Sequence, residues 1–182
     1  MRIVLCCIAM LMAYPACLIA QNQKISKKER KELELQQQIA QKKAMLDLLE
    51  SQEWVLEAHT VFDRYNVSYQ INPTINFVGI QGTNGVMQLG FDELIGWNGV
   101  GGVTIQGNVT KYELKAGKAK GNPVVTLRFQ GRGMGAATLA ISVNPTGQAM
   151  AKVNGDFGDR IIFSGIIKAL SESAVYQGSS LF

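Results

Sequence analysis

The sequence predicts an all-β domain, an antiparallel β-sandwich or small barrel of about eight strands, preceded by one N-terminal α-helix. Two observations indicate this class. Residues 24–53 contain neither Gly nor Pro and are dense in Lys, Glu, Gln, Leu and Ala, which favour helix. After Gln52 apolar and polar residues alternate in short runs that turn residues separate, at a spacing of about 10 residues. No helical pattern interrupts these runs, which disfavours an α/β architecture.

The first 20 residues have the pattern of a cleaved signal peptide. Arg2 supplies one positive charge, residues 3–13 are apolar, and Ala20 precedes the polar Gln21. The apolar run is shorter than the roughly 20 residues that a membrane-spanning helix needs, so we expect cleavage after Ala20 and export to the periplasm or cell envelope. Lipoprotein anchoring at Cys17 and an uncleaved N-terminal anchor remain alternatives.

The predicted organisation is a signal peptide at 1–20, a basic N-terminal helix at 21–52, an antiparallel β domain at 53–170 and a C-terminal tail at 171–182. A chain of 182 residues suits one domain with an extension. All three cysteines, Cys6, Cys7 and Cys17, lie in the leader. A mature chain would therefore have no disulfide, no thiolate metal site and no cysteine nucleophile.

The predicted helix has its own start signal and one apolar stripe. Ser26 and Glu29 have the spacing of a capping box, in which each side chain accepts a hydrogen bond from the other residue's backbone N–H. Four apolar residues at helical spacing predict that the second half of the helix packs on another element. They are Leu35, Ile39, Leu46 and Leu49.

The start of this helix is basic, and the whole chain has a formal net charge of +4. Its cationic residues are Lys24, Lys27, Lys28, Arg30 and Lys31. Interleaved glutamates weaken their field, which favours a solvated helix face. The alternative is a peripheral contact with an anionic membrane, where each charge contributes about 1 kcal/mol. Nucleic acid is not an expected partner of an exported protein.

Short alternating runs predict the strands. The first two occupy 54–62 and 65–72, and Pro73 ends the second. Gly82-Thr83-Asn84-Gly85 lies between apolar runs at 77–81 and 86–89, and its Asn-Gly pair predicts a hairpin. The later runs occupy 103–115, 125–129, 139–143, 148–154 and 160–168. The apolar residues of the 103–115 run change parity, which predicts a bulge near Gly107-Asn108.

Residues 90–102 form a Gly-rich segment with four large apolar residues. These are Phe91, Leu94, Ile95 and Trp97. We expect them to form a contact surface for a partner, which would be an envelope protein, an apolar ligand or a polymer. The alternative is that they cap the core of the β domain.

No catalytic, metal or cofactor constellation emerges from the sequence, and we expect none. His59 is the only histidine, whereas a catalytic triad or a zinc site needs further partners. Asp92 and Glu93 form the best-spaced acidic pair. They are adjacent, and glycoside hydrolysis needs two carboxylates that face each other across about 5–10 Å.

Several strand and turn patterns, taken in order, resemble a known family. They are Lys-Lys-Glu-Arg-Lys at 27–31, Trp-Val-Leu-Glu-Ala at 54–58, Asn-Phe-Val at 76–78 with a Gly turn and Gln88, the run 102–112, and Ile-Phe-Ser-Gly-Ile at 162–166. Together they cover most of residues 26–168 and resemble secreted Bacteroidetes proteins of the domain-of-unknown-function family 4251. The resemblance implies an all-β exported protein, and it implies no activity and no catalytic residues.

The sequence thus favours an exported, non-enzymatic β domain that acts as a binding or accessory module. The alternative is a carboxylate-dependent hydrolase that acts on an envelope or dietary polymer. Two acidic side chains in one concave pocket would indicate the hydrolase, and an apolar cavity would indicate binding.

Overall fold

The computed structural model describes residues 26–63, 65–90, 103–118, 121–132, 135–155, 160–175 and 177. Within them one α-helix, α1 (Lys27–Ser51), precedes the strands, and a 3₁₀-helix (Leu170–Glu172) follows. The strands are β1 (Glu53–Phe62), β2 (Ser68–Gln70), β3 (Phe77–Gln81), β4 (Asn84–Leu89), β5 (Val103–Lys115), β6 (Val124–Gly131), β7 (Ala136–Val143), β8 (Gln148–Gly155) and β9 (Ile161–Ala169). The chain forms two compact units that divide between Glu34 and Leu35, within α1.

The described part of the first unit, residues 26–34, is the start of α1 and confirms the predicted capping box. The Ser26 N–H donates to Glu29 Oε2 at 2.8 Å, and the Glu29 N–H donates to Ser26 Oγ at 3.2 Å. These two bonds satisfy N–H groups that have no partner within the helix. One turn further on, Arg30 forms an exposed ion pair with Glu34 at 3.2 Å.

In the second unit, only the last turns of α1 pack on the strands. Leu49 is fully buried, and Met45 and Leu48 pack against the same core. The predicted apolar stripe is wrong for its first two members, since Leu35 and Ile39 are 57% and 61% exposed. The residues of α1 that pack against the core begin at Met45, about three turns after Glu34.

The strands form one antiparallel sheet that closes into a barrel. From β3 to β9 each strand pairs with the next, and β1 pairs with both β3 and β9. Eight strands are therefore closed, and β2 is an additional strand on β1. This confirms the predicted all-β antiparallel class with one N-terminal helix, and of the two predicted architectures it is the barrel.

β2 and β3 occupy the same side of β1. β2 pairs with Thr60–Phe62, and β3 pairs with Glu53–Glu57. Residues 71–76 loop out between them, with the Ile71 N–H bonded to the His59 carbonyl and the Ala58 N–H bonded to the Asn76 carbonyl, both at 2.9 Å. The hairpin formed by β1 and β2 therefore extends one end of the barrel.

Alternate residues of the strands point into the barrel and fill it. The largest fully buried apolar residues in this core are Leu49, Trp54, Leu56, Ile80, Leu127, Leu139 and Ile141. An internal void beside Leu56 and Phe163 measures only about 10 Å³, which barely matches one water. The barrel interior is therefore a packed core and not a channel.

At the α1 end of the barrel, two hydrogen bonds add to the apolar packing. Trp54 Nε1 donates to the Tyr112 hydroxyl at 3.1 Å, and that hydroxyl donates to the Leu49 carbonyl at 2.6 Å. Burial raises the pKa of Tyr112, and the hydrogen bond from Trp54 opposes this in part. The helix, β1 and β5 are thus joined at this end of the barrel.

Two local predictions are confirmed, and the structure gives their positions. The predicted hairpin joins β3 to β4, and it turns at Gly82-Thr83, because Gln81 pairs with Asn84 and Ile80 with Gly85. The turn is thus the first half of the predicted 82–85 segment, and Gly82 has the positive φ of 58°. The predicted bulge in β5 lies between Val109 and Lys111.

Candidate functional site

A cavity of about 350 Å³ lies at the end of the barrel opposite α1. Its described lining comprises Val61, Phe62, Asp63, Tyr69, Ile71, Asn76, Leu89, Arg160, Ile161 and Phe163. These residues come from the ends of β1, β4 and β9, and from β2 and the segment after it. The volume falls at the lower end of the roughly 300–1,000 Å³ that is usual for small-molecule sites.

Strand register explains why residues far apart in the sequence meet here. Phe62 pairs with Ile162, which brings the end of β1 to the start of β9. Leu89 pairs with Val103 at the corresponding end of β4 and β5. The described residues at the ends of these strands thus form a cavity at the mouth of the barrel, above the packed core.

Six of the lining side chains are apolar, and one of them closes the bottom. Phe163 is buried and lies between the cavity and the small internal void. Tyr69 stands at the rim with 52% of its surface exposed. The cavity therefore has an apolar base and an amphipathic rim, which suits a ligand with an apolar body.

Asp63 and Asn76 are both engaged in holding the mouth together. Asp63 Oδ1 accepts hydrogen bonds from the N–H groups of Tyr65 at 2.8 Å and Val67 at 2.9 Å, which fixes the turn after β1. Asn76 is buried, donates through Nδ2 to the Asn72 carbonyl at 2.9 Å and accepts from the Gly90 N–H at 3.0 Å. These polar side chains shape the cavity wall through bonds to the backbone.

Arg160 is the basic residue among the described lining residues. It is exposed, it directly precedes β9, and it takes part in none of the ion pairs found among the described residues. In the sequence, Arg160 is only the first residue of a predicted strand. Alternation predicts which face a residue occupies, whereas the register around the barrel determines which residues share a rim.

The predicted contact residues Phe91, Leu94, Ile95 and Trp97 lie outside the described residues, as do Asp92 and Glu93. The strand positions that flank them, Leu89 and Val103, lie at the cavity end of the barrel. The contact surface stays a prediction, and so does the role of the acidic pair.

His59 lies at a bulge in β1, where the register with β9 shifts between Ala58 and Thr60. Its Nε2 atom is buried and has no hydrogen-bond partner among the described residues. The histidine is not one of the described residues that line the cavity. Within the described chain, no group of three His, Cys, Asp or Glu side chains could hold a metal ion.

A second polar cluster lies on the outer face of β1. Glu57 is only 7% exposed, and its two carboxylate oxygens accept hydrogen bonds from Lys168 at 2.7 Å and Ser173 at 2.9 Å. Burial raises the pKa of Glu57, but the bonds from Lys168 and Ser173 and the charges of Lys168 and His59 outweigh it, so the pKa is lowered. The cluster fastens the segment after β9 to the barrel wall.

The fold and the cavity define this chain as a closed eight-stranded antiparallel barrel with a helix at one end and an apolar pocket at the other. A family model described as "Domain of unknown function (DUF4251)" matches residues 21–167. The chain belongs to this family, which confirms the resemblance noted in its sequence.

A solved structure supports the same assignment. The chain is similar to the crystal structure of a DUF4251 family protein from Bacteroides eggerthii DSM 20697, with 26% sequence identity and a TM-score of 0.62. The similarity covers 76% of this chain and 94% of that chain. A comparison with curated proteins gave no match. None of the described helices has the length and apolar character to span a membrane.

Proposed function

We propose that this protein is an exported, non-enzymatic binding module of the periplasm or cell envelope, and that it holds an apolar ligand in the mouth of its barrel. The observation that supports the ligand is the cavity of about 350 Å³ with an apolar base. Closed barrels of eight strands leave room either for side chains or for one small ligand. Here side chains fill the interior, and the mouth provides the space.

Export is supported by the signal-peptide pattern of residues 1–20. Cleavage after Ala20 would give a mature protein that begins at Gln21. N-terminal sequencing of the protein from the periplasmic or culture fraction of the native cell tests this. A first residue of Met1 on the recovered protein would contradict the proposal.

The cavity favours binding over hydrolysis. Of its described lining residues, Asp63 is the acidic one, and its Oδ1 atom already accepts two backbone hydrogen bonds. A carboxylate-dependent hydrolase needs a second carboxylate that faces the first. The described residues supply no observation in favour of that alternative.

The cavity supports an apolar ligand as the partner better than the basic start of α1 supports an anionic membrane. Among the described residues 26–34, Arg30 is paired with Glu34, and Glu29 caps the helix. These carboxylates lie among the lysines and weaken their attraction to an anionic membrane. An apolar ligand at the barrel mouth is therefore the partner that we propose.

Binding of an uncharged naphthylamine dye, followed by its fluorescence, tests the cavity directly. Leu89 lines the cavity and is half-buried, so Leu89→Gln places a polar amide in its wall. We expect this variant to weaken dye binding about tenfold, which corresponds to the loss of one buried leucine side chain. Met150→Gln changes an apolar side chain that is 46% exposed on β8 and should bind the dye as the wild type does. Equal binding by all three proteins, or no binding by any, would contradict the proposal.

A further inference from the structure

We propose that the ligand is a single-chain amphiphile with an anionic head, and that Arg160 at the rim of the cavity binds this head. This inference rests on the proposed function and adds the chemical class of the ligand. The juxtaposition that supports it is a guanidinium at the mouth of an apolar cavity whose base is closed by Phe163.

The position and availability of Arg160 favour an anion. The residue is exposed at the rim and belongs to no ion pair among the described residues. A guanidinium presents two parallel N–H donors to a carboxylate or phosphate, which gives both affinity and orientation. A ligand head placed here would remain close to water, so the site avoids the cost of burying an unpaired charge.

Among the described lining residues, Asp63 is the group that would oppose an anionic head. Its Oδ1 atom accepts the N–H groups of Tyr65 and Val67, so backbone dipoles offset part of its charge. The Asp63 carboxylate is also held in the turn after β1 by these bonds. Two of its acceptor positions are therefore occupied, whereas Arg160 forms no ion pair among the described residues.

The apolar lining fits one hydrocarbon chain. Val61, Ile71 and Leu89 belong to the described wall, and Phe163 ends the cavity at the packed core. Each methylene that enters should raise the affinity about fourfold. The gain should stop once the chain reaches Phe163, because the void beyond it measures only about 10 Å³.

The test measures displacement of the naphthylamine dye by four ligands with the same straight decyl chain: undecanoate, decyl phosphate, decanol and decylamine. We expect one or both anions to bind about tenfold more tightly than decanol, which is the lower range for a hydrogen bond to a charged group. Comparison of undecanoate with decyl phosphate identifies the preferred head.

Three variants locate the effect. Arg160→Gln should remove the advantage of the anions and leave the affinity for decanol unchanged. Arg160→Lys should keep part of that advantage, because it keeps the charge and loses the paired donors. Arg132→Gln is the matched control, since Arg132 is an exposed arginine that directly follows β6 at the same end of the barrel and is not among the described lining residues.

The outcomes separate the two proposals. If decanol binds in the cavity but the anions bind no better, or if decylamine binds best, the anionic head is wrong and the apolar site stands. If Arg160→Gln leaves the advantage of the anions intact, Arg160 is not the group that binds the head. If no alkyl ligand displaces the dye from the wild type, the proposed function fails as well.

Discussion

Glu57 retains a negative charge in a nearly buried position because both of its carboxylate oxygens have partners. Lys168 and Ser173 donate to them from β9 and from the segment that follows it. The sequence pattern of β1 did not predict this burial. The covering segment comes from the far end of the chain, and alternation within β1 contains no information about it.

We predict that Lys168→Met lowers the free energy of unfolding by about 1–2 kcal/mol near neutral pH, since it leaves a buried carboxylate with one partner fewer. The wild-type pKa of Glu57 is lowered in the folded state, so its stabilising effect is present above the unfolded pKa and is lost as the pH falls through the folded one. The difference between variant and wild type should therefore shrink below about pH 4. Urea unfolding at several pH values measures it.

Lys152→Met provides the control, because Lys152 is an exposed lysine of the neighbouring strand β8 and forms none of the ion pairs found among the described residues. It should change stability by less than about 0.5 kcal/mol at every pH. A pH-independent loss in Lys168→Met would mean that its aliphatic stem, and not its bond to Glu57, provides the stability.

The β1–β9 pair is the element that makes the sheet a barrel. Its register shifts at the His59 bulge, and there the two backbones come close together. A Cβ atom at Gly165 would collide with the Glu57 carbonyl oxygen and crowd the Ala58 Cα. Gly165 is therefore required by the close approach of the two strands, and not by a turn.

We predict that Gly165→Ala destabilises the protein by about 2–3 kcal/mol, because the backbone of β1 must move to admit the methyl group. Thermal unfolding followed by circular dichroism measures the loss. Gly155→Ala is the matched control at the end of β8, where nothing lies within 4 Å of the added Cβ atom. The control should stay within about 1 kcal/mol of the wild type. Equal losses in the two variants would show that the effect comes from the backbone propensity of Gly and not from strand approach.

At the scale of elements, alternation and turn residues predicted most strand positions and the helix. They located the β3–β4 hairpin but did not say which residues of the 82–85 segment form its turn. Gly85 lies in β4 against the Phe129 ring, where a Cβ atom would come within 2.8 Å of it. Gly82-Thr83 forms the turn, so tertiary packing determined which half of the segment turns.

At the scale of the whole molecule, the sequence could not distinguish a sandwich from a barrel. Alternation with a period of two assigns each residue to a face, whereas closure depends on the pairing of β1 with β9, at opposite ends of the domain. The cavity follows from closure, because its walls are strand ends that only the register brings together. No pattern in the sequence therefore predicted that Val61, Ile71 and Arg160 would line one cavity.

Photo-crosslinking shows whether the open end of this barrel binds the apolar chain of a ligand. Decanoic acid with a diazirine at its terminal carbon would be bound to the full chain, irradiated and mapped by mass spectrometry. We expect labelling inside the cavity, on Phe163, Ile71 or Leu89, and its loss when unlabelled decanoate is in excess. Labelling confined to exposed apolar residues elsewhere, such as Ile39 or Met150, would contradict it.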